Sequence, residues 1–518
     1  MIRDFSTGLV TLALIIFLGA LMLSCSPRSG ADLVLYNGTI LTMDRYLPPA
    51  GAMAIVDGKV LAVGRKDEIM SQATMGTKRI DLKGAIVVPG LTDSHMHLLS
   101  FGRSLDQLNL MGTSSPEEIA DLVRARAKEL PAGSWIPGRG WDQNDWQVQQ
   151  FPTHDILDQA APDHPVMLHR VDGHAAWLNG KALELAGISA STQEPDGGSI
   201  VRANDGQPTG ILIDNAMELV SSVLDDPTPK DIRRWLLAAI EQCNRAGLTA
   251  VHDACVDQAT LDVIWQLVKE GKFSIRFYGM LDGSDDALLD LYLRADPVVN
   301  YGGRITLRAV KFFADGALGS RGAALLSDYS DDPGNRGLIL TPPDQLRELI
   351  GRTIDAGYQP AVHAIGDRAN RMMLDIYEAL ATGENTDVRP RIEHAQVLAR
   401  KDIARFGKLG VIASMQPSHA TSDMYWAEDR LGARRVKGAY AWRSLLEKGA
   451  TICAGSDCPV EKIDPLLQIY AARTRQDTLG WPSGGWYREE RLGGLEALKA
   501  MTTWSAFAAF QENYRGKL

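Results

Sequence analysis

Between residues 32 and 84 the chain alternates short apolar runs with polar turns. Leu33-Val34-Leu35-Tyr36 precedes Asn37-Gly38, and Ala54-Ile55-Val56 precedes Asp57-Gly58 and Lys59-Val60-Leu61-Ala62-Val63. Asn-Gly and Asp-Gly supply the positive φ that tight hairpin turns need, so this stretch predicts a small β domain. From residue 85 the pattern changes to apolar strand-like runs separated by stretches of helical spacing, which predicts a parallel sheet or barrel. Eight runs qualify: Ala85–Leu91, Leu248–Asp253, Phe273–Leu281, Leu307–Phe313, Gln359–His363, Arg391–His394, Val411–Gln416 and Thr451–Ser456. Amphipathic segments such as Leu261–Glu270, Gln345–Ala356 and Asn370–Leu380 lie between them. The expected fold is therefore α/β, a (β/α)8 TIM barrel over residues 85–510, with an insertion at about 99–245 after its first strand.

The first residues read differently. Arg3 and the apolar stretch Leu9–Leu23 form an export signal, and Met22-Leu23-Ser24-Cys25 resembles a bacterial lipobox. On this reading residues 1–25 are a lipoprotein-type signal peptide ending at Cys25, which carries the lipid, and 26–31 are a tether. The protein is then expected at the periplasmic face of the bacterial cell envelope, membrane-anchored through Cys25. A plain signal peptide or an uncleaved anchor is the alternative, but the stretch is short for a membrane span.

Composition narrows the classes further. With 45% hydrophobic and 23% charged residues the chain folds around a large core, and a net charge of -10 without a long Lys/Arg block excludes a nucleic-acid partner. Cys243, Cys255, Cys453 and Cys458 show no CxxC spacing and are expected as buried free thiols, with a disulfide left open in an oxidising compartment. Nothing in the sequence fixes the oligomeric state, a homodimer being one option.

His95-Met96-His97 directly follows an apolar run, and residues i and i+2 of a strand share a side, so both imidazoles can reach one metal ion. Reactive side chains of such barrels gather where strands end and βα loops begin. That rule selects His95 and His97 on the first strand, Lys311 on the fourth, His363 on the fifth, His394 on the sixth and Asp457 after the eighth.

The run Val88-Pro89-Gly90-Leu91-Thr92-Asp93-Ser94-His95-Met96-His97 resembles the opening motif of the amidohydrolase superfamily. Val310-Lys311-Phe312-Phe313-Ala314-Asp315-Gly316, Val362-His363-Ala364-Ile365-Gly366-Asp367, Arg391-Ile392-Glu393-His394-Ala395 and Gly455-Ser456-Asp457 resemble its YtcJ-like, N-substituted formamide deformylase-like branch, amidohydrolase family 3. The resemblance spans residues 32 to about 510. It implies two divalent metal ions, with zinc as the default: His95, His97 and Asp457 on one, His363 and His394 on the other. Lys311, carrying a CO2-derived carbamate, would bridge them. It also implies hydrolysis of a C–N bond in a small amide, formamide or cyclic amide by a metal-activated hydroxide, with Asp457 as catalytic proton shuttle. For Lys311 the alternative is a lysine reaching from a strand end to solvent, and Asp457 could also cap a helix.

Other residues carry weaker signals. His174, in Asp172-Gly173-His174-Ala175-Ala176-Trp177-Leu178-Asn179, could orient a substrate carbonyl. Trp141, Asp142 and Trp146 could line the pocket from the insertion, and Arg321 could meet an anionic group. His252 and Gln416 are expected to support the site rather than ligate, and His154, His164, His169 and His419 attract no role. Relatives of this type return C-terminal strands to complete the N-terminal domain as a β-sandwich. Here only its N-terminal half, 32–84, is expected, the chain reading as truncated after Arg515-Gly516-Lys517-Leu518. Two further readings stay open: a non-catalytic metal- or solute-binding lipoprotein, and a mononuclear hydrolase of the same fold.

Overall fold

A computed structural model describes residues 30–221, 223, 227–380 and 387–518. The export segment with Cys25 and most of the tether lie outside the described residues. Among the described residues, no helix is long and apolar enough to cross a membrane.

The chain divides into two units, one running to Pro89 and including Lys517–Leu518, the other Gly90–Gly516. The first comprises strands β1 (Ala31–Ile40), β2 (Ala50–Val56), β3 (Lys59–Gly64), β4 (Ala73–Asp81) and β5 (Ile86–Val87), in one sheet of order β3-β2-β1-β4 with β5 beside the end of β1. Val34, Ala52, Ala54 and Ile69 form its small core. The sequence reading is corrected here in two places. Asp57-Gly58 makes the expected hairpin, both residues at positive φ, but Asn37-Gly38 lies within β1. There Asn37, at φ 57°, marks an irregular register instead of a turn. Ala85–Leu91 is not the first barrel strand, because Ile86 and Val87 pair with Thr39 and Ile40 in this sheet. The described residues of this unit form a single sheet against the short helix Lys66–Met70.

The second unit, Gly90–Gly516, holds the barrel and the insertion. The first barrel strand, β6, is Leu91–Met96. Six strands of the insertion follow: β7 (Leu108–Asn109), β8 (Ile136–Trp141), β9 (Val166–Arg170), β10 (Ala175–Leu178), β11 (Gly198–Arg202) and β12 (Pro208–Asp214). They form a separate sheet of order β11-β12-β10-β9-β8-β7. The chain returns to the barrel with β13 (Leu248–Val256), β14 (Arg276–Asp282), the antiparallel accessory β15 (Val298–Tyr301), β16 (Ile305–Phe313), β17 (Gln359–Ala364), β18 (Arg391–His394), β19 (Ile412–Met415) and β20 (Thr451–Ala454). The parallel order β20-β19-β18-β17-β16-β14-β13-β6 gives an eight-stranded, nearly closed barrel.

Burial explains both kinds of element. Every residue of β17 is buried, as expected where a parallel strand is covered on both faces. Helix Pro229–Arg245 starts with proline behind a Thr228/Asp231 capping box and buries Ile232, Leu236, Ala239, Ile240 and Cys243, one stripe at helical spacing.

The gap between β20 and β6 is closed by the loop that follows β20. Met96 bridges Cys458, Asp457 N–H donates to His95 O at 2.7 Å, and His97 N–H donates to Cys458 O at 2.8 Å. The Asp93 carboxylate completes the join, accepting from Ser456 N–H at 2.9 Å, Ser456 Oγ–H at 2.5 Å and His95 N–H at 3.2 Å. A Cβ at position 455 would stand 2.4 Å from His95 N, so the approach requires glycine.

Candidate metal centre

His95 lies in β6, fully buried, with Nδ1 2.5 Å from Glu393 Oε2 on β18. Arg391, two residues earlier, binds both oxygens of Glu393, at 2.7 and 3.1 Å. Burial opposes a charge on Glu393, but Arg391 and then the His95 contact outweigh it and hold the carboxyl well below its usual range. An ionised carboxylate can only accept, so Nδ1 of His95 carries a hydrogen, and in the neutral ring Nε2 is left with its lone pair.

That Nε2 is buried and has no hydrogen-bond partner; neither has Asp457 Oδ1, 3.4 Å away. His97 Nε2 stands 3.3 Å from the same oxygen. His394, ending β18, donates from Nδ1 to Gln416 Oε1 at 2.8 Å, and its ring centroid lies 4.8 Å from that of His95. The His363 ring, on β17, is 4.6 Å from His394. Its Nε2 faces Gly316 O at 3.4 Å and Asp315 Oδ1 at 3.7 Å, which turns Nδ1 the other way. Three of these imidazoles are thus pinned at one nitrogen by a neighbour, the usual support of metal-ligating histidines.

Two residues of the group hold backbone conformations that L side chains rarely adopt: His394 at φ 73° and Asp457 at φ 59°. Such positions cost about 1–3 kcal/mol each and persist where surrounding structure imposes them, commonly at functional sites. Burial opposes the Asp457 charge, but the His95, His97 and His394 imidazoles hold its carboxyl well below the usual range. Lys311, on β16, is buried with Nζ 4.6 Å from the Phe313 ring, which in turn lies 5.6 Å from His363. Burial pushes the Lys311 ammonium down, the direction that favours the neutral amine a carbamate requires.

The donor set fits a divalent cation. His95, His394 and Asp457 each offer one atom within 4.8 Å of the others. The 3.3 and 3.4 Å gaps at Asp457 Oδ1 are long for charge-assisted hydrogen bonds yet match the roughly 3.4 Å edge between two ligands of a tetrahedral cation at 2.0–2.2 Å.

The weaker candidates separate. His174 reaches the group, its ring 5.4 Å from His363. Its Nδ1 is 2.6 Å from Asp214 Oδ1 on β12. Burial disfavours the imidazolium, but Asp214 and then Asp172 outweigh it and push the His174 pKa up to about 9. Trp141 is corrected: fully buried, it packs with Trp146, Trp177 and Phe151 in the insertion core, and its Nε1–H donates to Leu168 O at 2.7 Å. Trp146 is buried in the same cluster. Asp142 receives the Arg170 guanidinium, which also binds Asp172 at 2.5 Å and Gln143 at 2.8 Å and so ties Asp142 to the loop that carries His174. Arg321 is engaged by Asp331 at 2.9 Å. His252 Nδ1 lies 3.1 Å from Arg391 Nη1.

Sequence reasoning passed over Arg391, Glu393, Asp214 and His419. Arg391 and Glu393 did carry a signal, two charges at i and i+2 in a strand of a parallel barrel, where strands are covered on both faces. Asp214 had none, since its partner His174 is 40 residues away. The four described cysteines named above are free thiols, Cys255 half-buried and the others buried.

The amidohydrolase family model matches residues 78–518. The chain is 39% identical to Protein LONG AFTER FAR-RED 3 of Arabidopsis thaliana, over 96% of this chain and 87% of that protein. It is 34% identical to the putative amidohydrolase YtcJ of Bacillus subtilis (93% and 91% covered), and 27% to the N-substituted formamide deformylase of Arthrobacter pascens (94% and 91%). Among solved structures, an uncharacterized metal-dependent hydrolase from Pyrococcus horikoshii superimposes with a TM-score of 0.74 at 30% identity, covering 94% of each chain.

Proposed function

This chain belongs to the amidohydrolase family, and we propose that it is a metal-dependent hydrolase that cleaves the C–N bond of a small amide, formamide or cyclic amide. The observation that carries the proposal is Asp457 Oδ1, buried without a hydrogen-bond partner between the Nε2 atoms of His95 and His97. Similarity to the formamide deformylase supports the substrate class.

In this reading His95, His97 and Asp457 hold one divalent cation, and His363, His394 and a carboxylated Lys311 the second. Bound there, such cations supply Lewis acidity that polarises a carbonyl and makes water acidic near neutral pH. The chain's own residues do the rest. Asp457 accepts the proton of the attacking water at its carboxylate and returns it to the leaving nitrogen. His174, oriented through Nδ1 by Asp214, directs Nε2 to the substrate carbonyl oxygen. Burial of His95, Lys311, His363 and His394 keeps bulk water from the reacting bond.

Metal analysis with an Asp457→Asn variant tests this reading. Near two equivalents of metal are expected, with hydrolysis of N-substituted formamides, N-acyl amines or hydantoin-like rings in the wild type and its loss in the variant. Tight metal binding with no turnover anywhere in that library would leave a binding protein instead. One observation favours a one-cation version: His95, His394 and Asp457 form the compact triad. A single equivalent, with activity kept in Lys311→Ala, would establish it.

A further inference from the structure

His419 stands at the rim of the centre. Its Nε2 is buried without a hydrogen-bond partner, 3.8 Å from Asp457 Oδ2, and its ring lies parallel to that of His394, at 15° with centroids 6.1 Å apart. The separation is too long for a hydrogen bond. An Nε2–H left there would forgo a charge-assisted bond to a carboxylate, and an unpaired buried donor is destabilising. A bare lone pair would face a second electron-rich atom bearing negative charge. With the hydrogen on Nδ1 and the Nε2 lone pair free, a cation between nitrogen and oxygen relieves that repulsion.

The same arrangement recurs on the other oxygen, where Nε2 of His95 and of His97 lie 3.4 and 3.3 Å from Oδ1. Asp457 is thus bracketed by imidazole nitrogens on both oxygens. The segment that brings His419 in also serves the centre independently, for Gln416 fixes His394. Pro417 then starts the helix Pro417–Asp423, and Ser418 is held by Gln468 through N–H at 3.1 Å and Oγ–H at 3.0 Å. His419 is therefore presented from an anchored turn.

Resting on the reading of this group as a metal centre, we propose that His419 is an additional protein ligand, sharing a cation with Oδ2 of Asp457. It would add a fifth imidazole to His95, His97, His363 and His394. The test is Co2+ titration of metal-stripped full-length protein, followed by visible absorption and by competition with a chelator, for wild type, His419→Ala, His419→Gln and Asp457→Asn. Both His419 variants are expected to lose at least about tenfold in affinity for one equivalent and to change the cobalt spectrum, with the metal-free melting temperature unchanged. The glutamine variant keeps size and polarity, and it carries the test if the alanine variant does not fold. Stoichiometry, affinity and spectrum equal to wild type in the His419 variants, with cation binding lost in Asp457→Asn, would overturn the assignment of His419 and leave the centre intact. A wild type that takes up no Co2+ would overturn both.

Discussion

His95 Nδ1 lies 2.5 Å from Glu393 Oε2, and through this contact a carboxylate on the sixth barrel strand sets which nitrogen of a first-strand histidine is free. Arg391 completes the chain by binding both oxygens of Glu393 and the Ser94 carbonyl at 2.9 Å. Glu393→Gln keeps the shape but removes the charge that fixes the tautomer. Metal affinity is expected to fall about 10–100-fold in chelator competition. Glu393→Ala also strands the buried Arg391 guanidinium and should cost about 3–5 kcal/mol in denaturant unfolding. Unchanged metal affinity in Glu393→Gln would mean that His95 needs no such partner.

Asp93 and Ser456 join the two ends of the barrel where His95, His97 and Asp457 meet. Ser456→Ala removes one hydrogen bond to a buried carboxylate, and a loss of about 1–3 kcal/mol is expected. Asp93→Asn should lower metal affinity as well, because the separation of Asp457 from the two histidines depends on this join. Equilibrium unfolding and metal titration of the same samples separate the two effects.

The His174–Asp214 pair predicts a pH dependence of stability. His174 titrates at about 9 in the folded protein against about 6.5 unfolded, so its stabilising contribution is complete below pH 6.5 and fades as pH rises through 9. Unfolding free energies of wild type and His174→Gln, measured from pH 6 to 10, should differ by about 1–3 kcal/mol more at the acid end. A difference independent of pH would show that the pair does not hold a proton in the folded state.

Cys25 is expected to carry a lipid, and Cys25→Ser should move the protein from the membrane fraction to the soluble fraction of an expressing bacterium. Metabolic labelling with a fatty acid should follow the same substitution. Equal fractionation of the two forms would rule out lipid anchoring at Cys25.

Trp141 and His419 mark opposite ways in which local pattern misleads. A Trp-rich loop beside Asp142 suggests a pocket wall, yet Trp141 is enclosed by Trp146 and Trp177. Burying a large aromatic surface in the insertion core is strongly favourable, and nothing in its neighbours along the chain says which side that core lies on. His419 follows Gln416-Pro417-Ser418 with no second histidine at strand spacing, and it enters the centre only because helix Pro417–Asp423 begins where β19 ends.

The linear order alone determined what depends on local periodicity and short spacing. This covers seven of the barrel strands and the strand-end positions of His363 and His394. Those follow because i to i+2 alternation and helical repeats are properties of neighbouring residues. Tertiary structure alone decided that Ile86–Val87 joins the N-terminal sheet, and that Glu393 orients His95 and Asp214 orients His174. It also decided that Asp93 and Ser456, 363 residues apart, hold the barrel together beside Asp457. This last contact exists because closing the barrel brings its first and last strands side by side, where a buried carboxylate is stable only when its partners are already in place.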